Sequence, residues 1–146
     1  MRVLILALAL AACAQEAPTP ADEAPIAQAS DPQANMAAMP QWDQARAAGV
    51  DFRGIGQEPG WMIDIYQQDR ILLLLDYGQT LTEFSLPSPT SPQDGVTRYE
   101  TEANGKTLVV TIRRFPCQDA MSGEAFPSTV EVIVGDRTLN GCGRSV

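Results

Sequence analysis

The alternation of apolar and polar residues after Gly49 constrains the fold of this chain more than any other feature. Large apolar residues recur there at every second position, in the runs Trp61, Ile63, Ile65; Leu108, Val110, Ile112; and Val130, Val132, Val134. Successive side chains of a β-strand lie on opposite faces, so a period of two is typical of half-buried strands. The pattern therefore predicts an all-β domain.

Short turns separate these runs. Asn104-Gly105 and Gly135-Asp136 each stand between two alternating segments, which is a strong hairpin signal. With further runs at residues 50–55, 70–77, 81–86 and 96–103, about eight short strands are expected, and this spacing favours a small antiparallel β-barrel or sandwich. Residues 71–75 are apolar on both faces, so this strand is either covered twice or forms a wall that meets a ligand or partner.

The chain begins with a short apolar run that ends at a cysteine. Arg2 is followed by ten uncharged apolar residues, and Leu10-Ala11-Ala12 directly precede Cys13. This start resembles a bacterial lipoprotein signal peptide, which implies that Cys13 is acylated and becomes the mature N-terminus. A membrane-spanning helix needs about 20 apolar residues, so attachment through lipid is predicted. The alternative is a buried N-terminal strand or core helix.

Composition divides the chain into three parts: a signal peptide over residues 1–12, a lipidated cysteine and tether over 13–40, and a β domain over 41–146. The tether is acidic, rich in proline and alanine, and free of Lys and Arg. Such a segment buries too little apolar surface to offset its ordering entropy, which predicts disorder. Pro40 near a first helical position and Gly49 at the stop then predict one short N-terminal helix over residues 40–49.

The signal and the charge predict a compartment and a class of partner. Export places the domain in the bacterial cell envelope, facing the periplasm. Ala14 stands where Asp is associated with inner-membrane retention in enteric bacteria, which favours the outer membrane. The formal net charge of -8 argues against nucleic acid, whose phosphates a binding protein must neutralise. The expected partners are the membrane, through the lipid anchor, and a protein of the envelope or of a host.

The cysteines agree with this compartment. Once Cys13 is assigned to lipid, Cys117 and Cys142 remain as a pair, and an oxidising environment predicts that they form a disulfide. The alternative is a reactive thiol pair, but the sequence has no C-x-x-C motif and no histidine to act as a base.

Two clusters stand out within the β domain. The first is Gly54-Ile55-Gly56-Gln57-Glu58-Pro59-Gly60-Trp61; the second is Cys117-Gln118-Asp119-Ala120-Met121-Ser122-Gly123 with Phe126-Pro127 and Leu139-Asn140-Gly141-Cys142-Gly143. Together they resemble the G-x-E-P-F-W and C-x-D-x-M-S…G-C-G signatures of a family of uncharacterised small bacterial envelope lipoproteins. The resemblance covers residues 50–144 and implies a lipid-anchored β domain without an established activity. Gly60 stands where the family usually has Phe.

The residues of the first cluster predict a turn that leads into the Trp61 strand. Gly54, Gly56 and Gly60 permit backbone angles forbidden to other residues, and Pro59 beside Glu58 cannot donate to a ladder, so a bulge or tight turn is expected. A phosphate-binding loop is the alternative, but a strand rather than a helix follows and no Lys-Ser/Thr pair is present.

The residues of the second cluster predict a loop that is fixed by the disulfide. Asp119 and Ser122 can bond nearby backbone groups in an Asx or Ser turn, with Met121 and Phe126 packed beneath it. The alternative is a partner-binding tip made of these same four residues, in which Met121 is an adaptable apolar contact.

The sequence contains no histidine, which excludes Ser-His and Cys-His nucleophile pairs and imidazole metal ligands. Glu58 with Asp64, or Asp119 with Glu124, could act as a glycosidase-like carboxylate pair, but solvated strand-face charges are the default interpretation. No calcium-loop motif occurs, and no cofactor or metal site is predicted. We therefore expect a non-enzymatic binding or structural accessory module; the alternatives are an inhibitor of a host hydrolase such as lysozyme and a weak carboxylate-dependent hydrolase.

Overall fold

The structure, a computed structural model, describes residues 31–146. One short helix, α1 (Pro32–Ala37), precedes ten strands. The strands are β1 (Val50–Gln57), β2 (Gly60–Tyr66), β3 (Arg70–Leu75), β4 (Thr80–Ser85), β5 (Val96–Ala103), β6 (Lys106–Arg113), β7 (Cys117–Gln118), β8 (Ala125–Phe126), β9 (Ser128–Val134) and β10 (Arg137–Ser145). The predicted signal peptide, Cys13 and most of the tether lie outside the described residues.

Eight of these strands form one antiparallel sheet in the order β4-β3-β2-β1-β10-β9-β6-β5. The two end strands, β4 and β5, lie close to each other without a ladder between them within residues 31–146, so the sheet nearly closes into a barrel. Strands β7 and β8 form a separate hairpin. The predicted all-β antiparallel fold of about eight strands is confirmed, and of the two expected architectures the structure has the barrel rather than the sandwich.

The inner face of the barrel is filled by the three apolar runs that the alternation singles out. Their intervening residues lie on the outer face, as a period of two requires. The two predicted hairpin turns are also present: Asn104 and Gly105 have φ of 53° and 71°, and Gly135 has φ of 58°. Positive φ at these positions matches the right-handed twist of the flanking strands.

Strand β3 is covered on both faces. Ile71, Leu73 and Leu75 belong to the barrel core, and Leu72 and Leu74 belong to a second apolar cluster on the outer face. Met39 and Ala45 of the N-terminal segment cover that cluster. The doubly covered alternative is therefore the correct one for this strand. We call residues 31–49 the N-terminal strap, because they lie across the outer face of the sheet.

The helix predicted over residues 40–49 is wrong. Those residues form successive turns, closed by hydrogen bonds such as Ala48 N to Gln44 O and Val50 N to Ala45 O. So short a segment gains little from its own helical hydrogen bonds, and contacts with the sheet decide its path. Its first carbonyl, Pro40 O, accepts a hydrogen bond of 2.8 Å from Arg53 Nη2.

The helix that the structure has within residues 31–146 lies earlier, inside the segment for which composition predicts disorder. Asp31 caps α1 by accepting from Gln33 N, and Pro32 occupies the first turn, where its missing N–H costs nothing. Asn35 Nδ2 donates to Gly78 O at 2.9 Å, which fastens the helix to the β3–β4 turn. For residues 32–37 the expectation of disorder is therefore corrected, because tertiary contacts hold them. Within residues 31–146 no helix has the length and apolarity that crossing a bilayer requires.

Candidate functional site

The predicted disulfide is present and fixes the β7–β8 hairpin against the sheet. Cys117 Sγ and Cys142 Sγ are 2.00 Å apart, which confirms the pairing. Cys142 lies on β10 beside Ile55 of β1, so the bridge holds the hairpin over the middle of the sheet. Phe126 of β8 is buried by this arrangement.

The loop between β7 and β8 is organised by Asp119. Its Oδ2 accepts hydrogen bonds from Ser122 N at 2.8 Å and Ser122 Oγ at 2.7 Å, and Ser122 Oγ accepts from Glu124 N at 3.2 Å. These donors, the backbone amide of Ser122 above all, hold the pKa of the Asp119 carboxyl below its usual range. The predicted Asx and Ser turn is confirmed.

The two sequence clusters meet at Asp119. Gln57 Nε2, at the end of β1, donates to Asp119 Oδ1 at 3.1 Å. Around this contact lies a cleft of about 450 Å³ lined by the disulfide and by the polar residues Gln57, Glu58, Arg113, Gln118, Asp119, Thr129, Glu131 and Asn140, among others. We call it the polar cleft. The sequence analysis did not identify Glu131 and Arg113, because they belong to neither sequence cluster and reach the cleft from strands β9 and β6.

Trp61 explains the glycines of both clusters. A Cβ at Gly56 would collide with the Trp61 indole, and a Cβ at Gly141 would lie 2.8 Å from Trp61 Cζ2 and collide with the Ile55 backbone. Neither glycine has positive φ, and the expectation of special backbone angles is wrong for Gly54, Gly56 and Gly60 alike. Gly56 and Gly141 are needed for space, and they let the buried indole extend from β2 over Gly56 of β1 to Gly141 of β10.

At Gly60 a second aromatic residue takes the available space. The Tyr77 ring lies against Gly60 so closely that a Cβ there would collide with it. Tyr77 Oη donates to Gln57 O at 2.9 Å, and Tyr77 N donates to Gly60 O at 3.0 Å. An aromatic ring is therefore present beside this turn although residue 60 is glycine. The peptide bond between Glu58 and Pro59, in the turn itself, is cis.

An apolar groove adjoins the polar cleft. It has a volume of about 290 Å³ and is lined mainly by Met36, Trp42, Ile55, Trp61, Met62, Leu74 and Tyr77. Gly56 and Gln57 line both depressions, so the two meet along the end of β1. The arrangement can accept a ligand with one polar and one apolar part.

The predicted loop residues have different environments. Asp119 and Phe126 are buried and support the loop, and Ser122 is bonded to Asp119. Met121 is 71% exposed, so the expectation that it packs beneath the loop is wrong. Of the four proposed contact residues, only Met121 presents a large apolar surface to a partner.

A cationic and aromatic cluster joins the strap to the β7–β8 hairpin. The Arg144 guanidinium lies 4.5 Å from the Trp42 ring centroid and 5.1 Å from that of Phe126. Arg144 Nη1 also donates to Glu124 Oε1 at 2.7 Å, and Arg53 lies over the Trp42 ring at 4.8 Å. No sequence motif indicates this cluster, because its members are far apart along the chain.

Asp64 contradicts the default interpretation of strand-face carboxylates as solvated. Asp64 and Arg53 are both fully buried and form a bidentate pair, with Nε to Oδ1 and Nη2 to Oδ2 both at 2.6 Å. Burial raises the pKa of the Asp64 carboxyl, against the opposing effect of Arg53. Arg53 and Asp64 are directly opposite each other in the β1–β2 ladder.

These contacts also separate the candidate carboxylate pairs. Asp64 is bound to Arg53, and Glu124 is bound to Arg144, so neither shares a cleft with its proposed partner. Glu58 and Asp119 instead line the polar cleft with Glu131. In the part of the chain that the structure describes, no three His, Cys, Asp or Glu residues are grouped so that they could hold a metal ion.

Comparisons with known proteins gave no match: no family model fits the chain, and no curated protein and no solved structure is similar to it. The resemblance of the two clusters to lipoprotein signatures stays a prediction. The site is therefore described by its own geometry, in which both clusters surround Trp61 and the polar cleft.

Proposed function

We propose that this protein is a lipid-anchored component of the bacterial cell envelope that faces the periplasm and binds a partner without catalysing a reaction. The single observation that carries the proposal is the 3.1 Å hydrogen bond from Gln57 to Asp119, which joins the two sequence clusters around one cleft. Cys13 is the lipidated residue, and the strap and tether connect it to the β domain.

Three properties of the site support binding. Its polar cleft of about 450 Å³ lies within the usual size range of ligand sites, and an apolar groove adjoins it. Met121 exposes a large apolar side chain on a loop that the disulfide and Asp119 hold in place. An exposed apolar contact on a rigid loop is typical of interaction sites.

The anchoring part of the proposal is supported by the sequence at Cys13 and by the disulfide. A bonded Cys117–Cys142 pair fits an oxidising compartment outside the cytoplasm. Cells that express the chain in the presence of labelled fatty acid should label it, and Cys13→Ser should abolish the label. Label that persists in Cys13→Ser would overturn the lipid anchor.

The binding part can be tested with two matched glutamine variants. Gln57→Ala removes the hydrogen bond to Asp119 at the end of β1, whereas Gln67→Ala removes an exposed contact to Asp51 at the start of β1. The chain is crosslinked in intact envelopes and its partners are recovered. We expect recovery with wild type and Gln67→Ala, and at least a tenfold loss with Gln57→Ala. Equal recovery from all three would contradict the site.

A further inference from the structure

A third depression, which shares no lining residue with the polar cleft, opens at one end of the barrel. It has a volume of about 550 Å³ and lies where β1, β5 and β9 begin and β6 and β10 end. Its lining is Asp51, Phe52, Thr97, Tyr99, Ile112, Arg114, Pro127, Ser128, Arg144 and Ser145. We call it the barrel mouth; mouths of β-barrels are recurrent ligand sites.

The floor of the barrel mouth is apolar. Phe52 and Ile112 belong to the barrel core and keep slightly more exposure than its central residues. The partly buried Tyr99 packs against the same core. An apolar body placed in the mouth would therefore contact the top of the core and displace water from it.

Polar side chains without partners stand above this floor. Ser128 is only 6% exposed, yet its hydroxyl makes no hydrogen bond with any residue in the range 31–146. The hydroxyls of Thr97 and Tyr99 likewise have no partner in that range, and Arg114 forms no ion pair there. Among residues 31–146 the buried side-chain nitrogen or oxygen atom without a hydrogen bond is Arg70 Nε, so the Ser128 hydroxyl still reaches solvent. These hydroxyls and the Arg114 guanidinium are therefore free to donate to a ligand that enters the mouth.

These donors lie on one side of the mouth. Strands β9, β6 and β5 are neighbours, and the ladder pairs Arg113 with Thr129 and Ile112 with Thr97. Arg114 and Ser128 are the next residues outward, so Arg114, Ser128 and Thr97 form one corner. Tyr99 lies two residues further along β5.

The charges of the mouth indicate where an anion would bind. Arg144 is occupied by Glu124 and the two aromatic rings, which leaves Arg114 as the unpaired cation. Asp51 lies on β1, separated from Arg114 by β10 and β9, and it accepts from Gln67. Burial, together with the charge of Asp51, raises the pKa of Tyr99, so its phenol remains a donor at neutral pH.

We propose that the barrel mouth binds a small carboxylate with an apolar body. The apolar body lies on Phe52 and Ile112, and the carboxylate accepts hydrogen bonds from Arg114, Ser128 and Thr97. Hydrogen bonds from a guanidinium to a carboxylate are among the strongest that proteins make, and the apolar floor supplies the remaining affinity. This site is separate from the polar cleft and does not depend on the proposed function.

Octanoate and octanol are suitable probes, because they share an apolar chain and differ in charge. Each is titrated into the full chain with its disulfide formed, and amide shifts are followed by NMR. We expect octanoate to shift the amides of Thr97, Tyr99, Ile112 and Ser128 and to bind at least tenfold more tightly than octanol. Equal affinity for the two probes, or no saturable shift of these amides, would overturn the proposal.

Two variants that remove one positive charge each complete the test. Arg114→Gln removes the cation of the mouth, whereas Lys106→Gln removes an exposed cation beside the Asn104-Gly105 turn at the other end of β6. Arg114→Gln should lower octanoate affinity at least tenfold and leave octanol unchanged, and Lys106→Gln should change neither. An unchanged octanoate affinity in Arg114→Gln would contradict the site, because surface substitutions of this kind leave the fold intact.

Discussion

Besides the Gln57–Asp119 hydrogen bond, the two sequence clusters contact each other through Trp61. Gly56 from the first cluster and Gly141 from the second leave the space that its indole fills. In a single sequence these glycines indicate unusual backbone angles, because that is the commonest local reason for glycine. In the structure these positions are glycine because the Trp61 side chain, from another strand, occupies the space that a Cβ would need. That contact depends on the pairing of the strands, which the local sequence does not indicate.

Gly56→Ala should lower the free energy of unfolding by about 1–3 kcal/mol, because its Cβ collides with the Trp61 indole. In Gly56→Ala/Trp61→Phe the loss should be smaller than the sum of the two single losses, since phenylalanine lacks the colliding atoms. Gly141→Ala should not be rescued by Trp61→Phe, because its Cβ also meets the Ile55 backbone. Chemical denaturation of wild type, the three single variants and the two double variants measures these losses, and strict additivity at Gly56 would refute the contact.

The buried Arg53–Asp64 pair makes a second prediction. Asp64→Leu leaves Arg53 buried without a counter-charge and should cost about 3–5 kcal/mol of stability. Arg53→Met/Asp64→Leu removes both charges and should recover most of that loss. If the double variant is as unstable as the single one by urea unfolding, the pair is not the source of the cost.

Asp119 should make stability depend on pH in the acid range. Its pKa in the folded protein lies below the usual 3.8, because Ser122 donates to the carboxylate. The contribution of the ionised Asp119 carboxylate to the free energy of unfolding is therefore fully present above pH 3.8. It is lost as the pH falls through the lower pKa of the folded protein. Asp119→Asn should flatten this part of the stability curve, whereas Asp43→Asn, an exposed control, should not. Identical curves for wild type and Asp119→Asn would contradict this role.

Among the elements, the strands were predictable and the strap was not. Alternation is a local property, so β5 matches its predicted range and the other strands of the barrel differ by a few residues. The hairpin turns follow from local residue preferences in the same way. The path of the strap depends on Arg53, the β3–β4 turn and the outer face of β3, which are distant in sequence. Neither the periodicity of apolar residues nor a helix-capping motif predicts these contacts of the strap.

The strap should stabilise the barrel through its buried methionine. Met39 is 3% exposed and packs on the outer face of the sheet, whereas Met36 is 50% exposed at the rim of the apolar groove. Met39→Ala should lower the free energy of unfolding by about 2–5 kcal/mol, and Met36→Ala by less than about 0.5 kcal/mol. Equal effects in thermal unfolding of the two variants would show that the strap does not cover the sheet.

In the whole molecule, the nearly closed barrel carries the two proposed sites in depressions that share no lining residue. The polar cleft, the apolar groove and Met121 lie around the end of β1, and the barrel mouth lies where β1 begins. The sequence clusters indicated the first site, including Asp119, Glu58 and the disulfide, but not that they meet through Gln57. Glu131 and Arg113 were missed because the sheet alone brings them to the cleft.

The central claim is that the disulfide-braced side of this barrel binds a partner in the envelope. A photoreactive amino acid placed at Met121, 71% exposed beside the cleft, tests it most directly in intact cells. The same group at Lys106, an exposed residue beside the turn at which β6 begins, is the control. We predict one discrete crosslinked product from position 121, reduced at least tenfold by Gln57→Ala, and none from position 106. No product at 121, or equal products at both positions, would contradict the claim.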